Sequence, residues 1–218
     1  MLRIVGLTFA LCLSAAWSVP AAAHPHVWIV ARSEIVFDPE GKLTGFRHTW
    51  TFDPVYSALA VMGLDSHHSG RPDPDQLAEI ARDYIEGLKE WRYFTATKVD
   101  GAEVEYDPPA EYSPTYDNGR LTLRFFLPLK VAARTPRVTS LAVEDPSFFV
   151  AFNVAEGPDA ITLVGPAAGC ALNVKRSAGP AKEGVQLLQD AIASALAGKL
   201  DGPSPGEDYT TRILVTCS

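Results

Sequence analysis

The strongest constraint on the fold is an alternation of apolar and polar residues on both sides of a turn signal near the start of the chain. Apolar or ring-bearing side chains take nearly every second position in residues 26–37 and in 42–53, as half-buried strands require. They are Val27, Ile29, Ala31, Ile35 and Phe37 in the first segment and Phe46, His48, Trp50 and Phe52 in the second. Asp38-Pro39-Glu40-Gly41 separates the two with proline and glycine placed for a tight turn. The pattern therefore predicts an antiparallel hairpin.

The register of this hairpin depends on the turn. If Asp38 pairs with Gly41, His26 lies opposite Asp53 and Ala31 lies opposite His48. A β-bulge would shift these pairs.

A long amphipathic helix is predicted after the hairpin, preceded by a short one over residues 55–64. Asp73 is a suitable N-cap and Pro74 suits the first helical position. Apolar residues then recur at helical spacing at Leu77, Ile80, Ala81, Tyr84, Ile85, Leu88 and Trp91.

Strand patterns predominate beyond residue 92, and Asp100-Gly101 is a hairpin turn signal. The predicted strands are residues 93–99, 102–106, 121–129, 137–143, 148–153, 171–175 and 209–216. A second helix is predicted over residues 182–200. Together these elements predict an α+β fold of mainly antiparallel sheet, with one long amphipathic helix after an N-terminal hairpin and a second helix near the C-terminus. Residues 24–218 are expected to form one domain, with 92–120 as the place where it could be subdivided.

Residues 1–23 have the pattern of a secretory signal peptide. Arg3 is the positive n-region, residues 4–17 are apolar, and Ala21-Ala22-Ala23 has the A-x-A form of a cleavage site. The apolar run is shorter than the roughly 20 residues that span a membrane. Leu11 precedes Cys12 where a lipoprotein would need a small residue. The sequence predicts cleavage after Ala23 and a periplasmic mature chain with no direct membrane anchor.

Charge and cysteine usage narrow the class of protein. The formal net charge of −7 at pH 7 disfavours nucleic acid as a partner. Apart from Cys12, the cysteines are Cys170 and Cys217. In an oxidising compartment they are expected to form a disulfide that contributes roughly 2–4 kcal/mol. A thiolate metal site is the alternative.

The histidines indicate metal binding at the mature N-terminus. All five, His24, His26, His48, His67 and His68, lie in the first third of the chain. Cleavage after Ala23 would let His24 offer its α-amine and a ring nitrogen to one metal ion. Imidazole binds Zn²⁺, Ni²⁺, Co²⁺ and Cu²⁺. Pro25 has no N–H for a square-planar amide site, so a chelate from His24 with His26 is predicted; the alternative is that both are exposed terminal residues without a role.

A loop between the two predicted helices resembles an EF-hand. Asp65, His67, Ser69, Arg71, Asp73 and Gln76 fall at positions 1, 3, 5, 7, 9 and 12, with Gly70 at position 6. Position 12 lacks its bidentate acid, and position 3 is a histidine. A tight calcium site is therefore not expected. Either the loop has lost its ion, or His67 or His68 serves a softer metal and reaches the N-terminal site.

Two further residues have competing interpretations. Asp53 could be a metal ligand, an acceptor that fixes the tautomer of His26, or the cap of the helix after Pro54. His48 lies between Phe46 and Trp50 in the pattern, and it is predicted to be a hydrogen-bonded core residue.

Three segments together resemble the bacterial periplasmic DUF1007 family. They are Ala23-His24-Pro25-His26-Val27-Trp28-Ile29, Trp50-Thr51-Phe52-Asp53 and Asp145-Pro146-Ser147-Phe148-Phe149-Val150. The resemblance spans most of the mature chain. Family members are often described as uncharacterised periplasmic transport components, tend to carry an EF-hand-like loop, and commonly neighbour nickel/cobalt-type efflux permeases. The resemblance therefore implies an accessory of an inner-membrane metal permease.

Three functions remain open on the sequence. The leading hypothesis is a periplasmic accessory that binds a transition metal through His24 and His26, with Asp53, His67 or His68 completing the site. The second is a copper oxidoreductase built on the same histidine chelate, and the third is a non-catalytic envelope interaction module. Because H-E-x-x-H, C-x-x-C and phosphate-binding glycine loops are absent from the sequence, a binding protein is favoured over an enzyme.

Overall fold

The computed structural model describes residues 26–65, 71–134, 136–147, 149–176 and 210–218. The strands in these ranges are β1 (Val27–Phe37), β2 (Leu43–Phe52), β3 (Thr95–Val99), β4 (Ala102–Glu103), β5 (Tyr112–Asp117), β6 (Arg120–Ala133), β7 (Val138–Val143), β8 (Val150–Val154), β9 (Ile161–Val164), β10 (Cys170–Lys175) and β11 (Arg212–Cys217). The α-helices are α1 (Pro54–Ala60) and α2 (Pro74–Leu88). Short 3₁₀ segments cover Lys89–Phe94 and Pro158–Ala160.

The strands form two sheets. Sheet 1 has the order β5-β6-β2-β1-β8, and β9 also pairs with β1 beyond β8. Sheet 2 has the order β10-β11-β7-β3-β4. Strand β1 pairs antiparallel with β2 but parallel with β8 and β9. It therefore lies inside sheet 1, with early and late parts of the chain on its two sides.

The predicted hairpin is confirmed, but its predicted register is wrong. Ala31 pairs with Trp50, and Ser33 rather than Ala31 pairs with His48. The turn closes between Asp38 and Lys42, where Asp38 N donates to Lys42 O at 2.9 Å, and the register shifts once more between Val36 and Phe37. A longer turn with a bulge moves every upstream pair by two positions relative to a turn closed at Gly41.

The core has two parts, one between sheet 1 and helix α2 and the other between sheet 1 and sheet 2. One cluster joins β1 and β2 of sheet 1 to the apolar stripe of α2, where Leu77, Ala81 and Ile85 are buried. The second cluster joins sheet 1 to sheet 2, through residues such as Phe46 and Leu141. The other face of sheet 1 is solvent-exposed or half-buried, as the alternating burial of β1 shows.

The predicted α+β class is wrong. Of the described residues, 50% are in strands and 20% in helices, arranged as two sheets with one long helix and a short one. Strands β5 and β9, which were not predicted, add to the β content. The predicted second helix, residues 182–200, lies outside the described residues, so the prediction of a C-terminal helix has no support.

The long helix α2 begins at Pro74 as predicted but ends at Leu88. Arg92, Tyr93 and Phe94 then take positive φ values of 52°, 55° and 47°. This left-handed turn redirects the chain into β3, so Trp91 leaves the buried stripe and is exposed. None of the helices in the described ranges is both long and apolar enough to cross a membrane.

A close approach of strands β2 and β6 supports the first testable prediction. A Cβ atom added at Gly45 would lie 2.4 Å from the backbone oxygen of Leu127 and 2.9 Å from Cα of Pro128. We expect Gly45→Ala to lower the free energy of unfolding by about 1–3 kcal/mol, because two backbones would have to separate. Urea denaturation measures this change.

The matched control is Gly87→Ala near the end of α2. Its added Cβ meets no described atom within 4 Å, so higher helix propensity should raise the free energy of unfolding by up to about 1 kcal/mol. Equal changes in the free energy of unfolding for the two substitutions would contradict the close approach of β2 and β6 at Gly45.

Candidate metal centre at the start of strand β1

The three segments that carry the family resemblance meet at the start of β1. Asp53, at the end of the second segment, donates its backbone N–H to Trp28 O at 2.9 Å. On the other side of β1, Val27 pairs with Val150, the last residue of the third segment. Segments far apart in sequence thus lie on both sides of the strand that follows the predicted mature N-terminus.

His26 is the described histidine of the predicted metal-binding pair. Its backbone N–H donates to Phe149 O at 2.9 Å, and its ring lies 4.9 Å from the ring of Phe149 between centroids. The two rings are inclined by 49°, and both residues are exposed. The imidazole of His26 therefore lies at the surface beside an aromatic ring.

Asp53 caps helix α1 and also binds β1. Its Oδ1 accepts hydrogen bonds from the backbone N–H groups of Val55 at 2.9 Å and Tyr56 at 3.0 Å. Its Oδ2 accepts the N–H of Trp28 at 3.1 Å. The capping interpretation is therefore confirmed. One carboxylate fixes the start of α1 to the residue two positions after His26, which makes Asp53 a positioning residue for this end of the strand.

Asp145 fixes the loop before β8 in a comparable way. Oδ1 of this buried aspartate accepts the backbone N–H of Ser147 at 2.8 Å and its hydroxyl at 2.7 Å, and Oδ2 accepts the N–H of Val150 at 2.9 Å. Asp145 is a structural residue that was not predicted from the sequence. The Asp-Pro-Ser sequence is itself a turn signal, and it could have identified this loop.

The EF-hand-like loop is described only at its two ends. Asp73 lies at the N-cap of α2, and its backbone N–H donates to Leu64 O at 2.8 Å, but its side chain makes no capping hydrogen bond. The side-chain oxygen of Gln76 is buried without a hydrogen-bond partner in the described part of the chain. Residues 66–70, with His67, His68 and Ser69, lie outside the description.

His48 is a core residue, as predicted. It is fully buried, with Nδ1 2.8 Å from Ser33 Oγ and Nε2 3.4 Å from Thr95 Oγ1. Burial lowers its pKa from 6.5 to about 3. Because its ring is buried between Ser33 of β1 and Thr95 of β3, His48 is not accessible to an ion held at the surface.

The described residues contain only part of the predicted ligand set. No group of three or more His, Cys, Asp or Glu side chains suited to a metal ion occurs among them. His24 lies before residue 26, where the described part of the chain begins, and His67 and His68 lie in the undescribed segment 66–70. Cys170 and Cys217 are not available as thiolates, because they form the predicted disulfide between β10 and β11.

The fold defines a mostly β protein of two sheets, in which a capped helix and an aspartate-fixed loop flank the first strand. A family model described as "Protein of unknown function (DUF1007)" matches residues 9–217. The chain belongs to this family. An uncharacterized 15.5 kDa protein in the trpE 3′ region of Spirochaeta aurantia is 32% identical over 107 residues, which are 47% of this chain and 74% of that protein.

Proposed function

We propose that this chain is an exported accessory protein of a transition-metal transport system, and that it binds its metal at the start of β1. The observation that supports the proposal is the meeting of the three family segments around His26, Asp53 and Phe149. The side chains of Asp53 and Asp145 together make six hydrogen bonds that fix this end of sheet 1. Such rigid support is what a binding site requires.

Export is part of the proposal. The signal-like residues 1–23 and the Cys170–Cys217 disulfide both suit passage into an oxidising compartment. Cleavage after Ala23 would place the free α-amine of His24 two residues before His26.

Each residue then has a defined role. His24 supplies its α-amine and ring nitrogen, and His26 supplies its ring. Asp53 accepts the backbone N–H of Trp28 and thereby fixes the strand two residues after His26. His67 or His68 supplies a further nitrogen, and the metal is Zn²⁺, Ni²⁺, Co²⁺ or Cu²⁺. The partner would be an inner-membrane metal permease.

Metal titration of the processed chain tests this function. The full-length chain is expressed with its own leader, the mature form is recovered, and its first residue is identified by mass spectrometry. Calorimetric titration with each of the four metals should show binding at one site. Adding one residue before His24, or replacing His26 with Gln, should weaken binding by at least about tenfold, because each change removes a metal–nitrogen bond.

The His67→Gln and His68→Gln variants identify the further ligand. One of these two variants is expected to lose metal affinity, by less than His26→Gln does. The other should bind as the native chain does and serves as its matched control. A mature chain that starts at another residue, or equal affinity in the extended and native forms, would remove the α-amine from the site and contradict the proposal.

A further inference from the structure

Helix α1 exposes an apolar face to solvent. Its residues Val55 and Leu59 are 71% and 60% exposed, and Met62 in the turn that follows is 70% exposed. Their spacing of four and three residues places them on one side of a helix. Scattered exposed apolar residues are ordinary, but a contiguous row on a short helix marks an interaction surface.

The opposite side of α1 packs against the core. The ring of Tyr56 stacks on Phe52 with centroids 5.0 Å apart. The hydroxyl of Ser57 accepts the N–H of Leu121 at 2.9 Å. Val55, Leu59 and Met62 therefore lie on the side of α1 that faces away from these contacts.

Trp28 extends this surface onto sheet 1. The carboxylate of Asp53 accepts backbone N–H groups from both Trp28 and Val55, so the backbones of these two residues lie close together. Trp28 is 45% exposed. We refer to Trp28, Val55, Leu59 and Met62 as the α1 patch.

Charge favours a second copy of the chain as the partner. Residues 54–64 contain no charged side chain, and Asp53 and Asp65 bracket them. In a chain of net charge −7, two copies repel each other least where the surface is uncharged. The bracketing aspartates and the acidic chain would instead be repelled by an anionic membrane.

We propose that the α1 patch joins two copies of this protein about a twofold axis. An apolar row is complementary to itself, as a twofold interface requires. With the surrounding backbone, the four side chains of each copy would bury on the order of 1,000 Å² in total, which is near the lower limit for a specific interface. The resulting dimer is weak and depends on concentration, and it does not depend on metal binding.

Light scattering after size-exclusion chromatography of the metal-free mature chain tests the proposal. From low to high micromolar concentration, the mass should rise from that of a monomer towards twice that value. Leu59→Glu and Met62→Glu should each weaken association by at least about tenfold, because each places two unpaired carboxylates in the interface. Unchanged near-ultraviolet circular dichroism would show that both variants fold.

Val131→Glu is the matched control, since Val131 is 79% exposed on β6 and lies outside the α1 patch. It should associate as the native chain does. A monomer at every concentration would overturn the proposal, as would a dimer that both patch variants retain. A monomer that binds neutral phosphatidylcholine vesicles through Leu59 and Met62 would assign the patch to a lipid surface and would also overturn it.

Discussion

Lowering the pH from about 6.5 to 3 is expected to remove about 4–5 kcal/mol of folding stability through His48 alone. Burial lowers the pKa of this residue from 6.5 to about 3 in the folded chain. Well above pH 6.5 the imidazole is neutral in both states and contributes no pH dependence. Below that value the unfolded chain takes up a proton that the folded chain refuses, so stability falls until the pH reaches the folded pKa.

Urea denaturation at a series of pH values measures this effect. The free energy of unfolding of the native chain should decrease by up to about 1.4 kcal/mol per pH unit more steeply than that of His48→Gln. The variant is expected to be less stable at neutral pH, because it disturbs the contact with Ser33, but to lose less on acidification.

The comparison with His48→Gln is needed because carboxylates also contribute to acid unfolding. Gly87→Ala provides the matched control, since it changes no titratable group and should keep the native slope. Parallel curves for the native chain and His48→Gln would show that His48 is solvated or protonated in the folded state.

Loss of the Cys170–Cys217 disulfide is expected to lower the free energy of unfolding by about 4 kcal/mol. The bond closes a loop with a sequence separation of 47 residues, and it joins β10, the edge strand of sheet 2, to β11. Without it the unfolded chain gains the entropy of the open loop. The Cys170→Ser/Cys217→Ser variant should show a lower urea midpoint than the native chain.

Reductant provides the control for this experiment. Dithiothreitol should lower the midpoint of the native chain to that of the double variant and leave the variant unchanged. A native midpoint that reductant does not affect would show that the bond contributes nothing to stability.

Local patterns were sufficient to predict the hairpin and α2, because both are determined by residues close in sequence. The turn at Asp100-Gly101 was also confirmed, with φ values of 48° and 86°. The prediction of the hairpin register failed, because the alternation of apolar residues in the strands does not encode the number of residues in the turn. Closing the turn at Lys42 instead of Gly41 shifts the pairing by one position, and the bulge between Val36 and Phe37 shifts it by one more, so Ser33 rather than Ala31 pairs with His48.

Long-range pairing could not be predicted in the same way. Nothing near Val150 indicates that β8 pairs parallel with β1. Strand β5 was missed because Pro114 interrupts it, although proline is tolerated on an edge strand such as this one. Asn118-Gly119, with φ values of 51° and 73°, is a hairpin turn signal that could have identified β5 and β6 as a pair.

The surroundings of the candidate site could not be predicted from the sequence. The sequence indicated His26 and Asp53 as candidate site residues, whereas Phe149 appeared only within a family segment and was given no role in the site. The sequence could not show that Asp53 binds Trp28 rather than facing His26, because that depends on the register of the hairpin. The contact between His26 and Phe149 depends on the parallel pairing of β8.

The position of β1 between β2 and the late strands β8 and β9 has a consequence for synthesis. While only the first half of the chain is available, the side of β1 that will receive Val150–Val154 and Ile161–Val164 presents unpaired backbone groups. Such an open edge can pair with other unfinished chains. Closure must wait for residues more than a hundred positions away, which slows folding and lengthens the period during which a chaperone would be useful.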